Sequence, residues 1–475
     1  MTTSENHLSK FINSSLWILF LANISYLIVK SNEIDWSISG IFRVNSFTIL
    51  IWTVVSFFSA LINSYSQTYL QGFKFHARFT RLTLGFTISV MLFVASDNIG
   101  LFILCWFAMG YFMAKLIGAD KDWAEAQEAS KFSFRYFGLG TLFLALGILI
   151  LAYNCRCFSL SEITAGLGTL SSRILLVSAC LIILAAIIQS AIYPFHRWLL
   201  SAMTAPTPAS ALMHAGFVNA AGILLTLFST LFFATGTLTI LFVIGGITAI
   251  IAQFTKLLQV TVKQKLACST IAQMGFMIMQ CGLGFFNAAV VHLILHGFYK
   301  AYLFLSSGEN IEASAPEKPA FLHIKPLQAI AVVVMGLLGA LLFAALTGKG
   351  TSVNSSIFLT LIVAITVGQA TYNIVKQKTM KAFQKLFLPI VLFFSGIVSY
   401  ALIYNGVTKV MKGMPNVEVP SSLSFLQISF GVAFLLCFFI MKLGVYRKVP
   451  FVYVMLLNVS QPFKKTILMF NKKSI

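Results

Sequence analysis

Stretches of about twenty apolar residues follow one another almost without pause along this chain, and few folds accept such a pattern. A membrane-crossing helix needs ~20 predominantly apolar residues. Windows of that length recur from end to end and leave no room for a separate soluble domain. The runs lack the period-two alternation of barrel strands, so the backbone can satisfy itself in lipid only as helix. Charged residues make up 10% of the chain and hydrophobic residues 58%, whereas a soluble domain carries ~25% charged residues. The expected fold is an all-α polytopic membrane protein with about fourteen transmembrane helices. Their expected positions are 15–29, 46–65, 82–96, 98–118, 134–153, 174–192, 206–233, 236–260, 266–286, 288–307, 326–346, 355–375, 387–405 and 424–442.

The formal net charge of +20 does not indicate a nucleic-acid partner, because the basic residues lie in short loops between spans. That is where the positive-inside rule places them. Clusters at Lys74–Arg81, Lys376–Lys385, Lys442–Lys448 and Lys464–Lys473 mark the cytoplasmic face, where they can also meet anionic lipid or an acidic partner. This places both termini inside, together with the charged loop 119–133. Residues 1–14 lack a signal-peptide pattern, so the first apolar run is expected to stay as an anchor. The seven cysteines form no CxxC pair, and Cys155 and Cys157 alone make no structural zinc site.

Two places interrupt the apolar runs. Between Gln189 and Pro208 stand Pro194, the polar pair His196-Arg197, Pro206 and Pro208, as in a broken helix. The second is Thr347-Gly348-Lys349-Gly350-Thr351, which reads either as a second break or as an ordinary interhelical loop. Discontinuous helices at corresponding points of two halves point to an ion pathway.

The titratable groups within the runs are few. His292, His296 and Lys300 are spaced i, i+4, i+8, and each step of four advances by ~40° on a helix, so they form one narrow stripe. His214 heads the run that follows Pro206 and Pro208, and Lys263 and Lys265 stand near a span entrance. Such groups are costly in lipid and are functional candidates by default. Histidine gains and loses protons near neutral pH unperturbed, and lysine does so when buried. Ser269, Thr270 and Gln273 could orient water beside them, while Lys115 is expected to snorkel to the interface. All thirteen carboxylates fall in loops or near span ends. No phosphate loop, zincin motif or nucleophile elbow is present, so no catalytic residue, metal ligand or cofactor site is expected in this chain.

Three of these segments together resemble a known family. They are Pro206–His214, Ser269-Thr270-Ile271-Ala272-Gln273-Met274-Gly275, and His292 through Lys300 to Leu305. They resemble the antiporter-like membrane subunits: subunit 5 of respiratory complex I, the large subunit of Mrp-type cation/proton antiporters, and the DabB-type subunit of inorganic-carbon transporters. The resemblance spans roughly Asp97 to Thr351. It implies inverted repeats with broken helices, divided as N-terminal helices 1–96, repeats 97–260 and 261–405, and a C-terminal helix with basic tail 406–475. It also implies a proton or cation pathway through His214, Lys263, His292, His296, Lys300 and, more loosely aligned, Lys349. Arg135 matches an arginine that opens a preceding span.

Two positions depart from the family. Asp97-Asn98 and Trp106 align, but the glutamate after that tryptophan is Phe107, and the lysine it pairs with is Gln189. Losing both halves of this switch, together with the short C-terminal tail, argues against complex I membership and leaves the DabB-type subunit as the nearest match. That match implies a cation-conducting, foremost proton-conducting, subunit of an energy-coupled CO2/bicarbonate transporter in a bacterial inner membrane. Its partner would be a large cytoplasmic DabA-type subunit, carbonic-anhydrase-like and holding the zinc. The alternative is a proton-translocating subunit of a complex I-like oxidoreductase or an Mrp-type Na+/H+ antiporter.

Overall fold

The computed structural model describes residues 3–30, 34–38, 40–307, 326–350, 352–376 and 382–462. Part of the basic segment 376–385, all of 464–473, and Thr351 lie outside the described residues. The chain divides into two compact units. The larger comprises Met1–Glu309, Val410–Val417 and Phe434–Ile475, and the smaller Asn310–Lys409 and Glu418–Ala433.

The larger unit opens with α1 (Thr3–Lys30), the hairpin β1 (Asp35–Ile38) and β2 (Phe42–Asn45), then α2 (Ser46–Tyr69), α3 (His76–Ala95) and α4 (Ile99–Ile117). Next come α5 (Ala124–Cys155), α6 (Leu160–Gly166), α7 (Ser172–Gln189), α8 (Arg197–Ser201), α9 (Thr207–Ala215), α10 (Ala220–Leu227) and α11 (Ser229–Thr235). Then follow α12 (Leu238–Lys256), α13 (Val262–Gly282) and α14 (Phe286–Ser306). The smaller unit holds α15 (Pro326–Thr347), α16 (Ile357–Lys376), nearly all of α17 (Ala382–Val410) and the first half of α18 (Phe425–Leu443). The chain rejoins the larger unit at Phe434, within α18, and continues into α19 (Pro450–Val459). Among the described residues ten helices are long and apolar enough to cross a membrane.

The expected spans reappear with shifted ends. α5 begins at Ala124, ten residues before the expected 134, because Ala124-Glu-Ala-Gln-Glu-Ala is strongly helix-forming and extends the span beyond lipid. Arg135 therefore lies well inside α5, exposed, and does not open it. The single run expected over 206–233 is one candidate span from Thr207 to Leu227, in which a 3-10 turn at Phe217–Asn219 joins α9 to α10, followed after Phe228 by the short α11.

The Asp97-Asn98 pair has a structural task. Asn98 caps α4, its Oδ1 accepting from the backbone N–H of Gly100 (3.0 Å) and Leu101 (3.1 Å). Asp97 is buried and accepts from Ser159 Oγ (2.5 Å), Ser161 N (2.9 Å) and Ser161 Oγ (2.7 Å), which ties the α3–α4 junction to α6. Arg43 reaches the same Ser161 (3.2 Å) and forks onto Asp35 at 3.1 and 3.0 Å. That fork holds the Asp35 carboxyl below its ordinary value of 3.8.

α12 and α13 touch at backbone level. A Cβ on Gly245 would lie 2.4 Å from the Gly275 carbonyl oxygen, and one on Gly275 would lie 2.7 Å from that of Gly245. Small residues allow this approach in membranes, where van der Waals contact replaces the hydrophobic drive.

In the smaller unit α15 packs on α16. The second interruption is thus a turn between two packed helices, not a gap within one. Lys349, in that turn, forms an ion pair with Glu418, with side chains 18% and 21% exposed. The Tyr404 hydroxyl lies 3.5 Å from the other carboxylate oxygen. Two outcomes follow. Gly275→Ala should lower the melting temperature of the detergent-purified chain, costing ~1–3 kcal/mol by overpacking, while Gly138→Ala, which meets nothing within 4 Å, should leave it unchanged. Glu418→Gln should also destabilise, by ~1–3 kcal/mol, because it strands a half-buried cation; adding Lys349→Met should recover part of the loss.

Candidate functional site

The site is built around the break after α7. Helix α7 ends at Gln189, and the chain turns through Ser190–His196, with Ala191 at a left-handed φ of 54° and a cis peptide before Pro194. A non-glycine residue in that region costs on the order of 1 kcal/mol, so surrounding contacts must hold it. They are visible: Ser190 Oγ donates to Val218 O at 2.6 Å, and Trp198 Nε1 from α8 donates to Ile188 O at 2.9 Å. Pro206 precedes α9 and Pro208 sits in its first turn, where a missing N–H costs nothing. The expected interruption is present, and each of its prolines stands outside regular helix or in a first turn.

Helix α9 then places His214 against α14. The ring stacks on Phe304 with centroids 4.3 Å apart and planes 13° from parallel. His292, His296 and Lys300 share one side of α14, with the two imidazole centroids 6.1 Å apart. His214 and Lys300 are fully buried and His296 is 5% exposed. The Lys300 ammonium donates to Leu266 O on α13 at 2.9 Å, and Lys263 Nζ donates to Ala205 O, just before Pro206, at 2.8 Å. Neither lysine pairs with a carboxylate among the described residues. Backbone carbonyls hold these cations, one in the first turns of α13 and one at the end of the break.

Among the described residues, neither ring nitrogen of His214 or of His296 has a hydrogen-bond partner, and neither do Gln189 Nε2 and Asn219 Oδ1. Buried polar atoms are nearly always satisfied, by protein or by ordered water. A neutral imidazole with no fixed partner can take a proton at one ring nitrogen and release one at the other.

Of the expected residues, His214, His292, His296, Lys300 and Lys263 come together across α9, α13 and α14. Lys349 belongs to the other unit. Phe107 is 39% exposed and packs on Phe134 (6.0 Å, 65°), while Gln189 is buried at the end of α7. Two participants were not anticipated. Glu418 pairs with Lys349, and nothing in the local sequence links residues 69 positions apart. Asn219 donates to Ala215 O (2.8 Å) and Leu293 O (3.2 Å), fixing α9 to α14, and its place five residues after His214 in an apolar run could have marked it.

Comparisons with known proteins give the family. A family model described as "NADH:quinone oxidoreductase/Mrp antiporter, TM" matches residues 96–370, more than half of the chain. The chain is 34% identical over 357 residues to a probable inorganic carbon transporter subunit DabB of Bacillus anthracis, covering 74% of this chain and 69% of that protein. It is 38% identical over 305 residues to a probable subunit DabB2 of Halothiobacillus neapolitanus, covering 62% and 54%. NADH-quinone oxidoreductase subunit L of Rickettsia bellii is 29% identical over 311 residues, covering 62% and 47%. The matched stretch thus spans about half the length of the last two relatives. Among solved structures, the Mrp complex from Dietzia sp. DQ12-45-1b matches with a TM-score of 0.63 at 20% identity, covering 94% of this chain and 56% of that one. An archaeal membrane-bound sulfane sulfur reductase matches at 0.56 and 17%, covering 96% and 93%. At such identities the two structures speak for the fold alone. The chain is a multi-pass membrane protein and belongs to the NADH:quinone oxidoreductase/Mrp antiporter transmembrane family.

Proposed function

We propose that this chain is the cation-conducting, foremost proton-conducting, membrane subunit of an energy-coupled inorganic-carbon transporter in a bacterial cytoplasmic membrane. Its partner is a large cytoplasmic zinc subunit of carbonic-anhydrase type that hydrates CO2. Protons pass along His214, His292, His296 and Lys300, with Lys263 at the start of α13, and Lys349 serves in the smaller unit. The observation that carries the reading is the stripe of His292, His296 and Lys300 on α14, facing the buried His214 of α9. The names of the DabB relatives favour carbon transport over other uses of the fold, and so do Phe107 and Gln189 at the two switch positions.

One elementary charge crossing 100 mV is worth ~2.3 kcal/mol. That shifts an equilibrium roughly fifty-fold, enough to drive hydration in one direction if charge movement and catalysis are tightly coupled. A second reading, a subunit of an oxidoreductase or Mrp-type antiporter, draws on the shared family and fold. Affinity purification in mild detergent separates the two: one large zinc-bearing partner supports the first, and several antiporter-like chains support the second.

Lys300→Ala and His296→Ala should each abolish rescue of a strain that needs added inorganic carbon, while membrane insertion stays normal. His296→Gln should fail as well, since an amide keeps hydrogen bonds but cannot titrate. Full rescue by these variants would sink the relay.

A further inference from the structure

One buried polar cluster lies outside the stripe. The last carbonyls of a helix have no partner within it, and at the end of α19 four in succession accept from side chains of other segments. Arg197 Nη2 donates to Asn458 O (3.1 Å), and Arg197 Nη1 to Gln461 O (3.3 Å). His196 Nε2 stands 2.8 Å from Val459 O, and a carbonyl can only accept, so this nitrogen carries the proton. Gln259 Nε2 donates to Ser460 O at 3.2 Å. His196 and Arg197 form the far lip of the break after α7, and Gln259 sits in the turn between α12 and α13. A cation at a helix C-terminus also meets the negative end of the helix dipole.

Polar groups continue inward from this cap. The His196 ring lies on Tyr193 with centroids 3.9 Å apart. Tyr193 has Thr255 and Cys268 as polar neighbours, and Cys268 in turn has Thr255, Gln259, Lys256 and Lys300. Gln259 therefore belongs both to the cap and to the ring of groups that ends at Lys300. Besides the cap, Phe254, Tyr446 and Leu456 pack α19 onto α12. Beside it lies an open cleft of about 480 Å3, lined by Leu257, Leu258, Gln259, Val260, Arg447 and Tyr453.

We propose that the end of α19 is a latch over the break, with His196, Arg197 and Gln259 as its positioning residues. When it is seated, access to Lys300 from the side of the 257–261 turn is closed, and when it lifts, the passage past Tyr193, Thr255 and Cys268 opens. The inference rests on Lys300 as a conducting group, but access can be measured without transport.

Cys268 and Cys281 are both fully buried on α13, near its opposite ends. In vesicles of the full-length chain exposing the 257–261 side, with Cys268 as the sole cysteine, a membrane-impermeant maleimide should label the parent slowly. His196→Ala/Arg197→Ala should raise that rate at least ten-fold, and Arg197→Lys, which keeps a cation for the carbonyls, should raise it far less. With Cys281 as the sole cysteine the same double substitution should leave labelling unchanged. An unaltered Cys268 rate overturns the latch, and so does equal acceleration at both cysteines, which marks general loosening. In the native-cysteine chain the double variant should also leak protons several-fold faster, and Lys300→Ala should abolish the leak. Raised labelling without a leak would show that the latch does not gate Lys300, whereas a leak that survives Lys300→Ala would sink the conducting role and leave the latch standing.

Discussion

A cation buried among helices without a carboxylate must find oxygen elsewhere, and in the larger unit Lys300 finds it in the Leu266 carbonyl, 2.9 Å away. Helix α13 can offer that carbonyl because its own first turns lie beside α14, and it stays there because Gly245 and Gly275 let α12 and α13 meet backbone to backbone. Lys263 uses the same device toward Ala205, at the end of the break. Helix α13, which carries Lys263, Lys265, Gln264, Gln273 and Gln280, is too polar to count among the ten lipid-like helices of the described residues. It is instead packed inside the unit, where its polar side chains serve its neighbours.

The break has a matching logic. An interrupted helix leaves carbonyls and N–H groups that lipid cannot satisfy. Trp198 and Ser190 settle part of them within the break, and carbonyls at the end of α19 accept from the His196-Arg197 pair. A broken span and a helix end thus bond to each other. The polar pair that looks out of place in an apolar sequence is placed to serve that contact.

This explains what could be read in advance. The succession of spans, the break and the stripe of His292, His296 and Lys300 were legible because each is local: apolar length, proline and helical spacing appear within twenty residues. Helix ends were less so. Ala124–Lys131 is charged and reads as loop, yet its helix propensity carries α5 beyond lipid. Pairings distant in sequence were not legible, since no local pattern connects Lys349 to Glu418, or His196 to Val459 across 263 positions. The Asp97-Asn98 motif could be aligned but not interpreted, because its partners Ser159 and Ser161 are sixty residues away.

The changed switch positions bear on how such a subunit could be controlled. His214, His296, Gln189 and Asn219 all keep buried polar atoms with no hydrogen-bond partner among the described residues, and on the proposed reading a proton path beside them needs a means of closing. Where a glutamate and a lysine face each other, forming and parting the ion pair can do this by charge. On the proposed reading Phe107 and Gln189 stand in those places, neither carries a charge, and control comes from groups that move or from a partner that moves them. On the proposed reading the end of α19 meets this need: it touches the break directly, and a small shift along its axis would release four carbonyl contacts together. A neutral switch position and a helix-end latch are then two sides of one change, from gating by charge to gating by position.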